Sequence, residues 1–153
     1  MQKQQIEDFL AQKQIAIAGV SRDKSKFSNK VYEKLRDSGY GVSVIHPEAE
    51  SIDGVKCEPS VRELPVEVTA LMVVASAKVC ESVLRDISEG GIKHVWVFAG
   101  SEKQKGVEAE VKRLSEAGVS VIFGQCPFMF LEPVGGFHAF HRFIARLFGK
   151  YPK

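Results

Sequence analysis

Short apolar runs alternate along the chain with segments in which apolar residues recur at helical spacing. The runs are apolar at every position instead of every second one, which is typical of strands covered on both faces in a parallel sheet. The predicted strands are residues 14–20, 41–45, 69–75, 94–98 and 119–123, and the predicted helices are residues 1–13, 30–38, 77–89 and 105–117. This alternation predicts an α/β fold, a Rossmann-like doubly wound parallel sheet of about five strands.

Two stretches fall outside this alternation. Residues 48–64 have no long pattern, and the expected features there are turns at Gly54 and Pro59, an extended piece at residues 55–57 and one helical turn at residues 60–64. In residues 133–153, phenylalanines recur at helical spacing beside histidines and arginines, which predicts an extra C-terminal amphipathic helix. We therefore expect one domain over residues 1–132, with residues 1–13 as a lead-in helix, and a C-terminal helix that packs on the domain or on a partner.

The composition is that of one ordinary globular domain, since the 153 residues are 44% hydrophobic and 26% charged. A formal net charge of +2 gives no whole-molecule argument for a nucleic-acid partner. Cys57, Cys80 and Cys126 contain no CxxC pair, which argues against a disulfide framework or a structural zinc site. The N-terminus is polar and no apolar run is long enough to span a bilayer, so we expect a reduced, cytoplasmic protein without a transmembrane segment.

The candidate chemistry begins in the first predicted strand and the loop after it, which read QIAIAGVSRDKSKFSN. The loop opens with Gly19, which lets a ligand approach the backbone, and it ends at a helix that Ser28 or Asn29 is expected to cap. A helix N-terminus offers unpaired N–H groups and a partial positive charge to an anion. The basic residues beside it are Arg22, Lys24 and Lys26. We interpret the loop as a phosphate or pyrophosphate site, the alternative being a plain βα turn with solvated lysines.

The pattern disfavours an ordinary NAD site. Gly19 stands alone, whereas the dinucleotide fingerprint requires further glycines for the close passage of a pyrophosphate. That fingerprint also expects an acidic residue after the second strand to hold the ribose diol, and His46 and Pro47 occupy this position. Because ligands of such sheets bind beyond the carboxyl ends of the strands, the loops at those ends are expected to converge on one crevice.

A series of short motifs stands at the predicted strand ends, in the order GVSRD with KFSN, VIHP, GVKCEPSVREL, LMVVAS, VWVFAGS and GQCP. In this order they resemble the CoA-binding domain family, small stand-alone Rossmann-like proteins similar to the nucleotide-binding domain of the succinyl-CoA synthetase α-subunit. The resemblance runs from about residue 14 to residue 127, and the segment FHRFIARLFGKYP resembles tails of some members. The chain departs from the family at VWVFAG, where members often have Trp-x-Gln-x-Gly.

The resemblance implies that CoA, or an acyl-CoA, is bound at the carboxyl ends of the strands. It implies a phosphate-binding turn of Gly19, Val20 and Ser21 with Ser28 and Asn29, phosphate contacts from Arg22 and Lys26, an adenosine border at His46 and Pro47, and a nucleotide path along Ala75 and Ser76 to a far wall at Ala99 and Gly100. CoA suits a basic loop because Arg and Lys bind its additional 3′-phosphate well. Its long pantetheine arm needs an open groove.

Catalysis has two weak candidates, Cys126 and His46. Cys126 with Pro127 matches the family's Cys-Pro step, but a reactive thiol needs a neighbouring cation or helix N-terminus, and none can be assigned, so a buried structural cysteine is favoured. We expect His46 to serve as a hydrogen-bonding group.

We therefore favour a CoA-binding or acyl-CoA-binding module over an enzyme. One alternative is a CoA-dependent or nucleotide-dependent transferase or oxidoreductase that uses Cys126. Another is a regulatory subunit that binds a protein partner, or forms a homodimer, through the C-terminal helix. His138 and His141 lie three residues apart in that helix, and we interpret them as part of a solvated basic face rather than as metal ligands.

Overall fold

The computed structural model describes residues 2–88, 91–99 and 105–131. Its strands are β1 (Gln14–Ala18), β2 (Gly41–Ile45), β3 (Ser51–Ile52), β4 (Val55–Glu58), β5 (Ala70–Val74), β6 (His94–Phe98) and β7 (Ser120–Phe123). Its helices are α1 (Gln2–Leu10), α2 (Phe27–Asp37), α3 (Ala77–Arg85) and α4 (Lys105–Glu116), with 3-10 turns at Val61–Glu63 and Pro127–Met129. In this part of the chain, no helix is long and apolar enough to cross a membrane. The predicted C-terminal helix lies outside the described residues.

The strands form one sheet in the order β3-β4-β2-β1-β5-β6-β7. All neighbouring pairs are parallel except the two short strands β3 and β4, which run antiparallel. Chain order runs outward from β1 in both directions, through β2 on one side and through β5, β6 and β7 on the other. This order is doubly wound, so the structure confirms the predicted Rossmann-like α/β class.

The sheet has seven strands in the described residues instead of about five, because the stretch without a long pattern adds two at one edge. The predicted extended piece becomes β4, which pairs with the end of β2. It also pairs with β3 through a tight turn in which Asp53 and Gly54 have φ angles of 52° and 76°. Strand β3 has only two residues, too few for an alternating or fully apolar pattern to develop.

Helix α1 ends at Leu10, three residues before the predicted end, and two other predicted helix boundaries are also wrong. Helix α2 begins at Phe27 with extended Lys26 as its N-cap, so Ser28 and Asn29 lie in its first turn and do not cap it. Helix α3 ends at Arg85, four residues before the predicted end, because the backbone closes into a tighter turn that bonds the Ile87 N–H to the Leu84 carbonyl at 3.1 Å. Ile87 is still buried, as the helical pattern predicted.

The strand pattern explains the two-layered core. Alternate residues of β1 point to opposite faces, with Ile15 and Ile17 in the core beside α2, and Ala16 and Ala18 in the core beside α3 and α4. Trp96 of β6 is fully buried in the first core. Because both faces are covered, the space for a ligand is left at the edge where the strands end.

Candidate functional site

A cavity of about 870 Å³ opens at the carboxyl ends of β2, β1, β5 and β6. Strand order reverses here, because β1 leads through α2 to β2 on one side and its other neighbour β5 leads through α3 to β6. The two helices leave on opposite faces of the sheet, so the two loops separate and leave a crevice between them. Ten residues predicted for the site line it, namely Gly19, Val20, Ser21, Lys26, Ser28, His46, Pro47, Ala75, Ser76 and Ala99.

Three other candidates lie elsewhere. Arg22 is exposed and is not part of the cavity lining, and Asn29 is buried behind the loop. Cys126 follows β7 and does not line the cavity either. Gly100 lies outside the described residues. The structure therefore brings together the backbone turns that were predicted, but only part of the basic cluster.

Gly19 has a structural role in addition to the one expected from the sequence. Its φ angle is 107°, which side chains rarely allow, and a Cβ atom at this position would lie 1.9 Å from the carbonyl oxygen of Val74. The missing side chain therefore lets the end of β1 approach the end of β5. Gly19 also lines the cavity, so the approach of a ligand to its backbone stays a prediction.

The loop after Gly19 is held by one buried amide. The N–H of Ser21 donates to Oδ1 of Asn29 at 2.8 Å, and Nδ2 of Asn29 donates to the carbonyl of Ser21 at 2.7 Å. Asn29 is only 2% exposed, so both bonds are shielded from water. Sequence reasoning assigned Asn29 to a cap or to the ligand, whereas its side chain is used to fix the loop across eight residues of chain.

A second turn within the loop is built on Asp23. Its N–H donates to Oγ of Ser21 at 3.0 Å, and its carboxylate accepts the N–H and the hydroxyl of Ser25 at 3.0 and 2.7 Å. These hydrogen bonds from Ser25 hold the pKa of Asp23 below its ordinary value. The loop is thus ordered by its own side chains.

The three basic residues of the loop separate. Lys26 lines the cavity, while Nζ of Lys24 lies 2.8 Å from Oδ1 of Asp53 and joins the loop to the β3–β4 turn. The hydrogen bond to Asp53 also raises the pKa of Lys24. Among the described residues the lining has one basic side chain, Lys26, and one acidic one, Glu48. A phosphate would therefore depend on the N-terminus of α2, which no side chain caps, as much as on lysine.

His46 is held in one tautomer by the backbone. Its Nδ1 accepts the N–H groups of Glu48 at 3.1 Å and Ala49 at 2.8 Å. A nitrogen that accepts hydrogen bonds carries no proton, so the ring proton lies on Nε2. His46 therefore offers one hydrogen-bond donor at the cavity, and its Nδ1 is occupied and unsuited to act as a base.

Cys126 has the environment of a structural thiol. Burial raises its pKa, and backbone hydrogen bonds from Phe128 and Met129 offset this only in part. A raised pKa leaves the thiol protonated at neutral pH, which opposes nucleophilic use. Within the described ranges no group of three side chains could hold a metal ion, and His138 and His141 lie outside those ranges.

Aromatic residues form a feature of the site that sequence reasoning missed. The rings of Phe27 and Phe98 both line the cavity with centroids 5.5 Å apart, and the Phe128 ring lies 5.4 Å from that of Phe27. These positions lie at the start of α2, the end of β6 and a 3-10 turn. No local pattern links them, so only the fold brings them together. We call Phe27, Phe98 and Phe128 the aromatic wall.

The parallel sheet, the reversal of strand order and the cavity at that point define a Rossmann-like domain. The family described as CoA binding domain matches residues 13–132, and the chain belongs to this family.

Two curated relatives match within the same region. The chain is 30% identical over 119 residues to an ADP-forming acetate–CoA ligase II subunit alpha of Pyrococcus furiosus, which is 73% of this chain and 26% of the relative. It is 27% identical over 117 residues to an ADP-forming acetate–CoA ligase II of Archaeoglobus fulgidus, with 73% of this chain and 17% of the relative covered. The chain thus spans about a quarter or less of these relatives.

Solved structures are similar over the same part of the fold. A conserved hypothetical protein from Pyrococcus furiosus has a TM-score of 0.65 and 34% identity, with 74% of this chain and 95% of that chain covered. A dinucleotide-forming acetyl-coenzyme A synthetase 1 of Candidatus Korarchaeum cryptofilum has a TM-score of 0.68 and 25% identity, with 78% of this chain and 27% of that chain covered. The fold thus occurs both in a chain of similar size and within a much larger one.

Proposed function

We propose that this chain binds coenzyme A, free or as a thioester, in the cavity at the strand ends, and that it acts as a binding module. The observation that carries the proposal is the convergence of four loops of a CoA-binding family member on one cavity of about 870 Å³. This volume lies within the range of roughly 300–1,000 Å³ typical of sites for small ligands and cofactors.

The chemistry of the lining supports one direction for the ligand. The uncapped N-terminus of α2, with Ser21 and Lys26 beside it, suits the phosphates. The Nε2–H donor of His46, next to Pro47, suits the adenosine. The pantetheine arm then runs past Ser76 toward β6, over a lining that is largely apolar.

The test is a calorimetric titration of the purified protein, stripped of co-purified nucleotide, with CoA, dephospho-CoA, NAD and NADP. We expect CoA to bind, and NAD and NADP to bind at least tenfold more weakly, since the loop lacks the glycines of a dinucleotide site. Tighter binding of CoA than of dephospho-CoA would mean that the site also holds the 3′-phosphate. Absence of binding by all four ligands would overturn the proposal.

A charge variant tests where the phosphates bind. Ser21→Glu places a carboxylate in the cavity, and we expect it to abolish CoA binding while the fold survives. Ser115→Glu makes the same change on the exposed side of α4, away from the cavity, and should leave affinity unchanged. Circular dichroism checks folding of both variants. Equal affinity of the two would contradict this placement of the phosphates.

The enzymatic alternative depends on the reactivity of Cys126. Because burial raises its pKa, we expect iodoacetamide at pH 7 to alkylate Cys126 more slowly than a free cysteine in a peptide. Mass spectrometry of digested protein gives the rate for each cysteine, and the fully buried Cys80 serves as an internal reference. Rapid labelling of Cys126 in the folded protein would favour a transferase or oxidoreductase instead.

A further inference from the structure

Two rings of the aromatic wall, those of Phe27 and Phe98, expose apolar surface to the cavity. Phe27 is 37% exposed although its ring packs on Phe98 and Phe128, and Val79 of α3, also in the lining, is 44% exposed. Apolar surface turned toward water is unfavourable at roughly 25 cal/mol per Å². An apolar patch of this kind beside a polar site is characteristic of ligand-binding surfaces.

The two ends of the cavity differ in chemistry. At the end of β2 the lining offers the Nε2–H donor of His46 and the carboxylate of Glu48. At the end of β6 it offers the ring of Phe98, with Val79 and Val83 from the other face of the sheet. Strands β1 and β6 are two positions apart in the sheet, so Gly19 after β1 and Phe98 at the end of β6 are separated by about 10 Å, while Phe27 at the far end of the first loop contacts Phe98.

We propose that the aromatic wall binds the acyl group of an acyl-CoA, and that this group is apolar and uncharged. The inference rests on the proposed CoA site. In Rossmann-like folds the ribose lies near the end of the second strand and the pyrophosphate at the first helix, so the remainder of the ligand extends toward the opposite side. For CoA this remainder is the pantetheine arm, which ends in the thioester, and the arm is long enough to cross 10 Å.

The wall itself determines which acyl groups it accepts. The rings of Phe27 and Phe98 in the lining provide no partner for a carboxylate, and Lys26, the basic side chain of the described lining, is assigned to the phosphates. A dicarboxylic acyl group held against the rings would therefore lose hydration that they do not replace. A saturated chain, in contrast, gains about fourfold in affinity for each methylene group that it buries. Adenine is the competing occupant, because its ring could stack on the same phenylalanines.

A calorimetric series with CoA, acetyl-CoA, butanoyl-CoA, hexanoyl-CoA and succinyl-CoA tests the inference. We expect affinity to rise about fourfold per methylene from acetyl-CoA to hexanoyl-CoA, and succinyl-CoA to bind more weakly than butanoyl-CoA. CoA binding without any dependence on chain length would overturn the acyl site and leave the proposed function standing. Failure of CoA itself to bind would overturn both.

Two variants and one control variant separate the acyl chain from adenine. Phe27→Ser and Val79→Ser should lower the ratio of hexanoyl-CoA to CoA affinity by tenfold or more, by about the effect of two buried methylenes. Val66→Ser, at a valine 92% exposed and absent from the lining, should leave the ratio unchanged. We compare the ratio of the two affinities because Phe27 is the first residue of α2, so its replacement also affects the region assigned to the phosphates. If Phe27→Ser instead weakened ADP, CoA and hexanoyl-CoA equally, the wall would bind adenine and the inference would be wrong.

Discussion

The two helices beside the cavity begin in different ways. Helix α3 starts directly after β5, and Oγ of Ser76 accepts the N–H of Val79 at 3.5 Å as an N-terminal cap. Helix α2 starts after a longer loop, and its N-cap residue Lys26 makes no side-chain hydrogen bond to the helix. Both helices follow central strands and both face the cavity. Only α2 therefore leaves its first-turn N–H groups without a side-chain partner.

This difference shows how a helix without an N-terminal side-chain cap can form part of a binding site. A missing cap lowers helix stability by about 1 kcal/mol, and the same uncapped N–H groups are what an anion binds. The surrounding loop compensates by its own order, since Asn29 clamps Ser21 through two hydrogen bonds. Asn29 thus stabilises the loop from its buried side, while the helix end that faces the ligand has no side-chain cap.

The largest expected effect comes from the contact between Gly19 and Val74, which lets the ends of β1 and β5 lie side by side. These are the strands that precede the two helices. Gly19→Ala forces a Cβ into the Val74 carbonyl at 1.9 Å and keeps a strained φ of 107°, so we expect a loss of about 3 kcal/mol or more in the free energy of unfolding. Gly39→Ala, with φ of 90° but nothing within 4 Å, should cost only about 1–2 kcal/mol. Urea unfolding measures both, and equal losses would show that the close approach of β1 to β5 is unimportant.

The next effect tests the order of the first loop. Asn29→Ala removes both bonds to the backbone of Ser21 and leaves polar groups without partners, so we expect stability to fall by about 2 kcal/mol. CoA affinity should also fall, because the loop must then be ordered on binding. Asn29→Asp keeps an acceptor for the Ser21 N–H but places a buried carboxylate oxygen against the Ser21 carbonyl, and should cost at least as much stability as Asn29→Ala. A variant Asn29→Ala with unchanged stability would mean that the loop is ordered by other contacts.

The smallest expected effects on stability have opposite signs at the N-termini of α2 and α3. Lys26→Ser supplies the missing cap, so we expect a gain of about 1 kcal/mol in stability together with a roughly tenfold loss of CoA affinity. Ser76→Ala removes the existing cap and should cost about 1 kcal/mol. Thermal unfolding and calorimetry on the same preparations give both quantities. If Lys26→Ser bound CoA as tightly as the unchanged protein, the contrast between the helices would have no functional meaning.

The fold could be predicted because its signals are local and redundant. The strands β1, β2, β5, β6 and β7 are mostly apolar runs, and glycines at 39 and 118 follow two of the helices. The start of α2 could not be predicted, because Ser28 and Asn29 resemble caps in sequence, while the chain uses Lys26 at the cap position and buries Asn29. Capping rules consider only neighbouring residues in a helix. They do not show that the side-chain amide of Asn29 bonds to the backbone of Ser21, eight residues earlier.

The backbone turns of the site could be predicted from the sequence. The partners of its charged residues and its aromatic wall could not. Positions 19–21, 46–47, 75–76 and 99 follow strands, so topology alone brings them together. The partner of Lys24 is Asp53, which reaches it only through the β3–β4 turn, and Glu48 enters the lining by the same part of the chain. The aromatic wall joins residues from three distant segments. Such contacts depend on tertiary packing, which the spacing of apolar residues along the chain does not predict.

The burial of Trp96 gives the protein an internal optical reporter. It is the only tryptophan in the sequence, is fully buried, and donates its indole N–H to the Gln125 carbonyl at 2.8 Å. Phe9 of α1 meets it edge to face at 5.4 Å, and Phe130 packs at 5.7 Å. Its emission should therefore shift to longer wavelength when α1 detaches from the sheet and exposes the indole. Fluorescence can thus follow the docking of the first helix onto the sheet.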